Sequence, residues 1–135
     1  MTAYQHRVRY HEADAQGFLF NARYLELADV AMTEFFRVLG WPYEDLVAGG
    51  TDPSVVSATL TFSRPARFDD LLDVTARCTR VGTSSFGLDV HVTRGADLLA
   101  TIQLVYVNVD AATATSRPLP DELAEALRIA AAAAQ

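Results

Sequence analysis

The segment from Asn21 to Leu39 constrains this chain more than any other. Set at about 100° per residue, Tyr24, Leu25, Leu27, Ala28, Ala31, Met32, Phe35, Phe36, Val38 and Leu39 fill one side of a helical wheel. The other side holds Arg23, Glu26, Asp29, Val30, Thr33, Glu34 and Arg37. A stripe this wide and bulky needs an equally large apolar partner, such as the concave face of a sheet. Asn21 is expected as a cap or first-turn residue, Gly40 ends the helix as a C′ glycine would, and Pro42 prevents continuation.

The rest of the chain supplies that sheet. Tyr4 to Tyr10 reads as a first strand, with Val8 and Tyr10 on one parity, and His11 to Gly17 reads as a turn. After a short helical turn at Tyr43 to Ala48 come four strand-like runs. Val56, Ala58, Leu60 and Phe62 alternate with polar residues, as do Leu72, Val74, Ala76 and Cys78, and Phe86, Leu88, Val90 and Val92. Such alternation predicts sheets with one buried and one polar face, and the short breaks between runs predict antiparallel neighbours. The last run, Asp97 to Val109, is apolar on both parities, as a central or interface strand would be. A final helix is predicted from Asp121 to Ala134, with an alanine tail that buries little.

Composition excludes several functions. A length of 135 residues suits one domain, 1–135. The net charge of −6 argues against nucleic-acid binding, although all 11 basic residues are arginine and can meet phosphates locally. Cys78 is the only cysteine, so no intrachain disulfide forms, and it reads as a small core residue. The N-terminus lacks a signal-peptide apolar stretch and no run suggests a membrane span. A soluble, cytoplasmic protein is expected, with no metal-ligand cluster, no Ser-His-Asp spacing and no glycine-rich phosphate loop.

Tyr10-His11-Glu12-Ala13-Asp14-Ala15-Gln16-Gly17-Phe18-Leu19-Phe20-Asn21-Ala22-Arg23-Tyr24 resembles the signature of the 4-hydroxybenzoyl-CoA thioesterase family, including its Tol-Pal-associated acyl-CoA thioesterase branch. Arg64-Pro65-Ala66-Arg67-Phe68-Asp69-Asp70, Gly82 to Phe86, Val109-Asp110 and Pro118 to Pro120 extend the resemblance over nearly the whole chain. It implies an α+β hotdog fold: a long helix wrapped by a curved antiparallel five-stranded sheet, with a short C-terminal helix. It also implies acyl-CoA thioester hydrolysis by a homodimer or homotetramer, with no cofactor beyond the CoA of the substrate. Relatives commonly build the acyl tunnel between subunits, so Tyr24, Ser57 to Thr61 and Phe86 are expected to line it. Glu12 and Ala13 depart from the Asp and Thr of many relatives, and Asn21 stands where many carry His.

The chemistry asks for a group that attacks or activates water and for donors to a developing oxyanion. The resemblance assigns the first to Asp14, as nucleophile or general base, and the second to the backbone N–H at Asn21. Asn21 can orient by hydrogen bonding but cannot shuttle a proton. Gly17 lets the turn bring Asp14 to the helix start. Arg64, Arg67 and Arg80, at strand ends, are candidates for the CoA phosphates. Glu34 and Glu26 are fallback acids; His11 neighbours Asp14 in sequence but is expected to point to the opposite side of the strand, and His91 lies on the polar parity of its strand. Two other readings stay open: release of acyl or polyketide chains from a carrier protein, and a non-catalytic acyl-binding or scaffold domain.

Overall fold

The runs of alternating residues assemble around the one helix able to cover them. The computed structural model describes residues 2–133. Its elements are β1 (Thr2–Arg7), a 3-10 turn (Tyr10–Glu12), α1 (Arg23–Leu39), α2 (Tyr43–Ala48), β2 (Pro53–Phe62), β3 (Leu71–Val81), β4 (Ser85–Arg94), β5 (Asp97–Asp110), β6 (Thr115–Ser116) and α3 (Asp121–Ala133). The sheet runs β1-β3-β4-β5-β2 with every pairing antiparallel, and the short β6 adds to β5. α1 lies against β1, β3, β4 and β5, and α3 packs on β3. This is the hotdog fold, a five-stranded sheet wrapped on a long central helix. No helix among the described residues is long and apolar enough to cross a membrane.

Burial follows the predicted faces where two layers meet. Leu72, Val74 and Ala76 of β3 and Phe86, Leu88, Val90 and Val92 of β4 point inward and are buried. On α1, Tyr24, Leu27, Ala28, Ala31, Met32, Phe35 and Phe36 join them. A ring ladder runs through this core: Phe35 and Phe36 edge to face, Phe36 on Phe86, and Phe86 stacked on Tyr106 at 5.0 Å. Cys78 belongs to the same core, and burial pushes its thiol up to about 11, which leaves it inert. At the end of α1, Gly40 takes φ 102° and its N–H bonds back into the last turn.

Three expectations are corrected, and one bound runs past the described residues. β1 stops at Arg7: Val8 is buried, but the chain then turns and Tyr10 stands 86% exposed instead of sharing its face. The stripe of α1 is narrower than the wheel suggested, since Leu25 and Val38 are exposed and only the residues over the sheet are covered. The last described residue of α3 is Ala133, so the Ala134 end lies outside the described residues. β2 is almost wholly exposed, because among the described residues it is an edge strand paired with β5 alone. A bulge between Val55 and Ser57 also shifts its parity. Val55, not Val56, therefore shares the inner side with Ala58, opposite the inward Tyr106 and Leu104.

Candidate active site

The segment between the 3-10 turn and α1 folds back on itself as a small hairpin. The Asp14 N–H donates to the Phe18 carbonyl at 2.8 Å, and the Phe20 N–H donates to the Glu12 carbonyl at 2.9 Å. Ala13 and Leu19 bridge between them. The tip is a turn closed by the Gly17 N–H on the Asp14 carbonyl at 2.9 Å, with Gly17 at φ 79°. That left-handed conformation favours glycine. Leu19 and Phe18 then tie the hairpin to the segment after β2, through a 2.8 Å bond to the Ala66 carbonyl and a bridge to Arg67.

Asp14 is half-buried, and its Oδ1 accepts the N–H groups of Gln16 at 2.9 Å and Phe18 at 3.2 Å. These bonds fix the carboxylate with backbone donors alone. No hydrogen bond to Oδ2 occurs among the described residues, which leaves that oxygen available to a reacting molecule. Asn21 precedes the N-cap, which is Ala22. The Asn21 carbonyl accepts the Tyr24 N–H at 3.3 Å and the Phe20 carbonyl accepts the Arg23 N–H at 2.9 Å. Among the described residues nothing accepts from the N–H groups of Asn21 and Ala22, as at any helix start without a side-chain cap. The Asn21 side chain is exposed and caps nothing.

These groups border one cavity of about 320 Å³, lined by Asp14, Gln16, Phe18, Leu19, Asn21, Tyr24, Phe62, Ser63, Arg64 and Pro65. Tyr24 forms its floor. Its ring meets Phe62 edge to face at 5.1 Å, and burial pushes its phenol up despite the Ala66 backbone and Arg94. Arg64 is exposed at the rim and reaches Asp97 at 3.3 Å. Arg67 lies just outside, its guanidinium 4.9 Å above the Phe18 ring.

Of the residues expected here, Asp14, Asn21, Tyr24 and Arg64 line the cavity and Gly17 shapes the turn beside it. Arg67 lies just outside, Ser57 to Thr61 run along β2 without lining the cavity, and two further residues are placed elsewhere. Phe86 is fully buried in the core ladder and lines no part of the cavity. Arg80 sits opposite Gly87, whose own partner Val105 pairs with Ser57, whereas the cavity end of β2 is Phe62. Arg80 is thus level with the middle of β2 and three strands away from it, removed from the cavity. His11 is exposed, His91 lies on the outer face between Thr75 and Thr101, and Glu34 pairs with Arg37 at 3.3 Å. Phe18 and Phe62, bulky rings that suited either a pocket or the core, line the wall, and Ser63 joins them without having been singled out. The exposed edge position of β2, which puts Phe62 and Ser63 there, has no local sequence signal.

A thioesterase superfamily model matches residues 16–101, well over half of the chain. The chain belongs to the thioesterase superfamily. This thioesterase is 30% identical over 118 residues to the acyl-CoA thioester hydrolase YbgC of Escherichia coli O6:H1, covering 87% of this chain and 88% of the relative. It is 25% identical over 130 residues to the 1,4-dihydroxy-2-naphthoyl-CoA hydrolase of Synechococcus elongatus, covering 95% and 96%. A hypothetical protein from Thermus thermophilus, 26% identical, superposes with a TM-score of 0.88 over 96% of this chain and 99% of its own. The chain is a thioester hydrolase, and Asp14 and Asn21 both line its cavity.

Proposed function

We propose that this thioesterase hydrolyses acyl-CoA thioesters in the cavity between the Asp14 hairpin and the start of α1. The observation that carries this reading is that Asp14 and Asn21 line the same cavity. With the thioester carbonyl oxygen at the N–H groups of Asn21 and Ala22, the developing negative charge meets two unpaired donors and the positive end of α1. Asp14 Oδ2 then takes a proton from water, whose oxygen attacks the carbonyl carbon as the C–S bond breaks and the thiolate leaves. In the nucleophilic variant Oδ2 itself attacks, the thiolate leaves, and water cleaves the resulting mixed anhydride. Either course balances without a cofactor.

About 320 Å³ is at the small end for a ligand pocket and suits an acyl group with the adjoining thioester, not a whole CoA. Three rings, Phe18, Tyr24 and Phe62, line it, which favours a compact or aromatic acyl group. Hydroxylated naphthoyl-CoA is the substrate named for the Synechococcus relative. Arg64 and Arg67 stand where the nucleotide phosphates would leave the cavity.

The reading includes a second copy of the chain. Among the described residues β2 offers an unpaired edge with Val55 and Val56 exposed, next to a mainly apolar groove of about 370 Å³ whose lining includes Leu25, Val55, Ala58 and Tyr106 with the acids Glu26 and Asp29. An edge this long and apolar is a surface for strand pairing. A thiol-release assay over short, long, branched and aromatic acyl-CoAs tests the whole reading. Turnover is expected to be highest with short or aromatic acyl groups. No thiol release from any of them would contradict acyl-CoA hydrolysis, and preference for a long chain would contradict the acyl class.

A further inference from the structure

Beside the cavity lies a buried acid that the reaction does not use. Glu12 is 8% exposed, and its Oε1 accepts two bonds, from the Arg9 N–H at 2.7 Å and from the His6 Nε2 at 2.8 Å. Burial pushes its carboxyl up, but the Arg9 N–H and His6, with His11 farther off, outweigh that and hold it below the usual carboxylate range. A carboxylate kept ionised in so dry a place is anchored to what surrounds it.

What surrounds it is the base of the Asp14 hairpin. The Arg9 bond locks the 3-10 turn that leads into the hairpin. The Glu12 carbonyl takes the Phe20 N–H, one residue before Asn21, and Asp14 follows two residues after Glu12. Glu12 therefore joins both arms at the rung from which Asp14 and Asn21 depart. On β1, His6 shares a parity with Tyr4, whose hydroxyl donates to the Leu27 carbonyl of α1 at 2.7 Å. One face of one strand thus holds both halves of the cavity wall, the helix through Tyr4 and the hairpin through His6 and Glu12.

We propose that Glu12, clamped by His6 and the Arg9 N–H, is a positioning residue that sets the placement of Asp14 against the N–H groups of Asn21 and Ala22. This role rests on the proposed use of Asp14. It acts on geometry alone, since Glu12 reaches the cavity only through the backbone of the hairpin. Small displacements of a reacting group are costly to the rate while leaving ground-state binding nearly intact.

The test compares thiol release by Glu12→Ala, Asp14→Asn and the double variant, with His6→Ala and His6→Gln beside them, using the acyl-CoA that turns over best. Glu12→Ala, which removes the acceptor of both bonds, is expected to lower kcat about tenfold with KM within about twofold of wild type. In the Asp14→Asn background the same substitution is expected to change kcat less than about twofold, because it acts through Asp14. His6→Ala is expected to lose about tenfold and His6→Gln, whose amide still donates to Glu12, to recover to within about threefold. If Glu12→Ala fails to fold by circular dichroism, the two His6 variants decide. Wild-type kcat in Glu12→Ala, a full tenfold loss retained in the double variant, or His6→Gln no better than His6→Ala would each overturn the role. Wild-type turnover by Asp14→Asn would instead remove the reading of Asp14, and the positioning role with it.

Discussion

β2 and β4 are each ten residues long and both carry alternating apolar residues, yet they end in opposite surroundings. β4 has a strand on either side and α1 above it, and Phe86, Leu88, Val90 and Val92 are fully buried. β2 has β5 alone, and Val56 and Phe62 are 59% and 50% exposed. Alternation thus identifies a strand without fixing its depth, which neighbours decide. The buried strand carries the fold, and the exposed one borders both the cavity and the groove beside it.

The sharpest way to break this contrast is a pair of truncations. Phe86→Ala removes a ring stacked on Tyr106 and edge-on to Phe36, and is expected to cost about 3–5 kcal/mol in denaturant unfolding. Phe62→Ala, half in solvent, is expected to cost less than about 1 kcal/mol and instead to raise KM about three- to tenfold. Equal destabilisation by the two would erase the distinction between fold strand and site strand.

A charge on the open edge probes the other half of the contrast. Val56→Glu is expected to lower the assembly mass measured by light scattering to that of the monomer, while circular dichroism stays that of the folded chain. Like charges brought together across a pairing edge cost several kcal/mol. An unchanged mass would mean that β2 is not where copies meet.

Much of this arrangement was legible in the sequence. The bulky stripe of α1 demanded a sheet, the short breaks made it antiparallel, and the family-like residues around Asp14 picked out the hairpin. Periodicity reported the faces of β3 and β4 correctly because each is sandwiched, so hydrophobicity and burial coincide. It misplaced Val56, since a bulge inserts one residue without altering composition. Phe86 was expected at the acyl tunnel and lies in the core instead, because an inward aromatic has the same pattern in either place. The Glu12–His6 contact escaped notice because it spans the end of a strand, where neither helical nor strand spacing applies.

Smaller effects refine the site side of the comparison. Gly17→Ala meets no atom within 4 Å, so its expected cost of about 1–2 kcal/mol is that of the left-handed backbone alone. A loss well beyond that would show that the turn is packed more tightly than its open surroundings indicate. The pH dependence of stability should be gentler still. The Glu12 carboxyl is held below its unfolded range, so its contribution is complete above about pH 4.5 and is lost as pH falls through the folded value. Thermal melts between about pH 5 and 3 are expected to fall more steeply for wild type than for Glu12→Gln. Parallel curves would mean that the His6 and Arg9 bonds add no net stability to the ionised form.

In the proposed reaction the carboxylate of the hairpin does the chemistry at the start of α1. This role is tested most directly by kcat/KM for thiol release in Asp14→Asn, with folding checked by circular dichroism. A folded variant that loses at least about 10²-fold in kcat/KM is the expected result. A folded variant that turns over at close to the wild-type rate would contradict it.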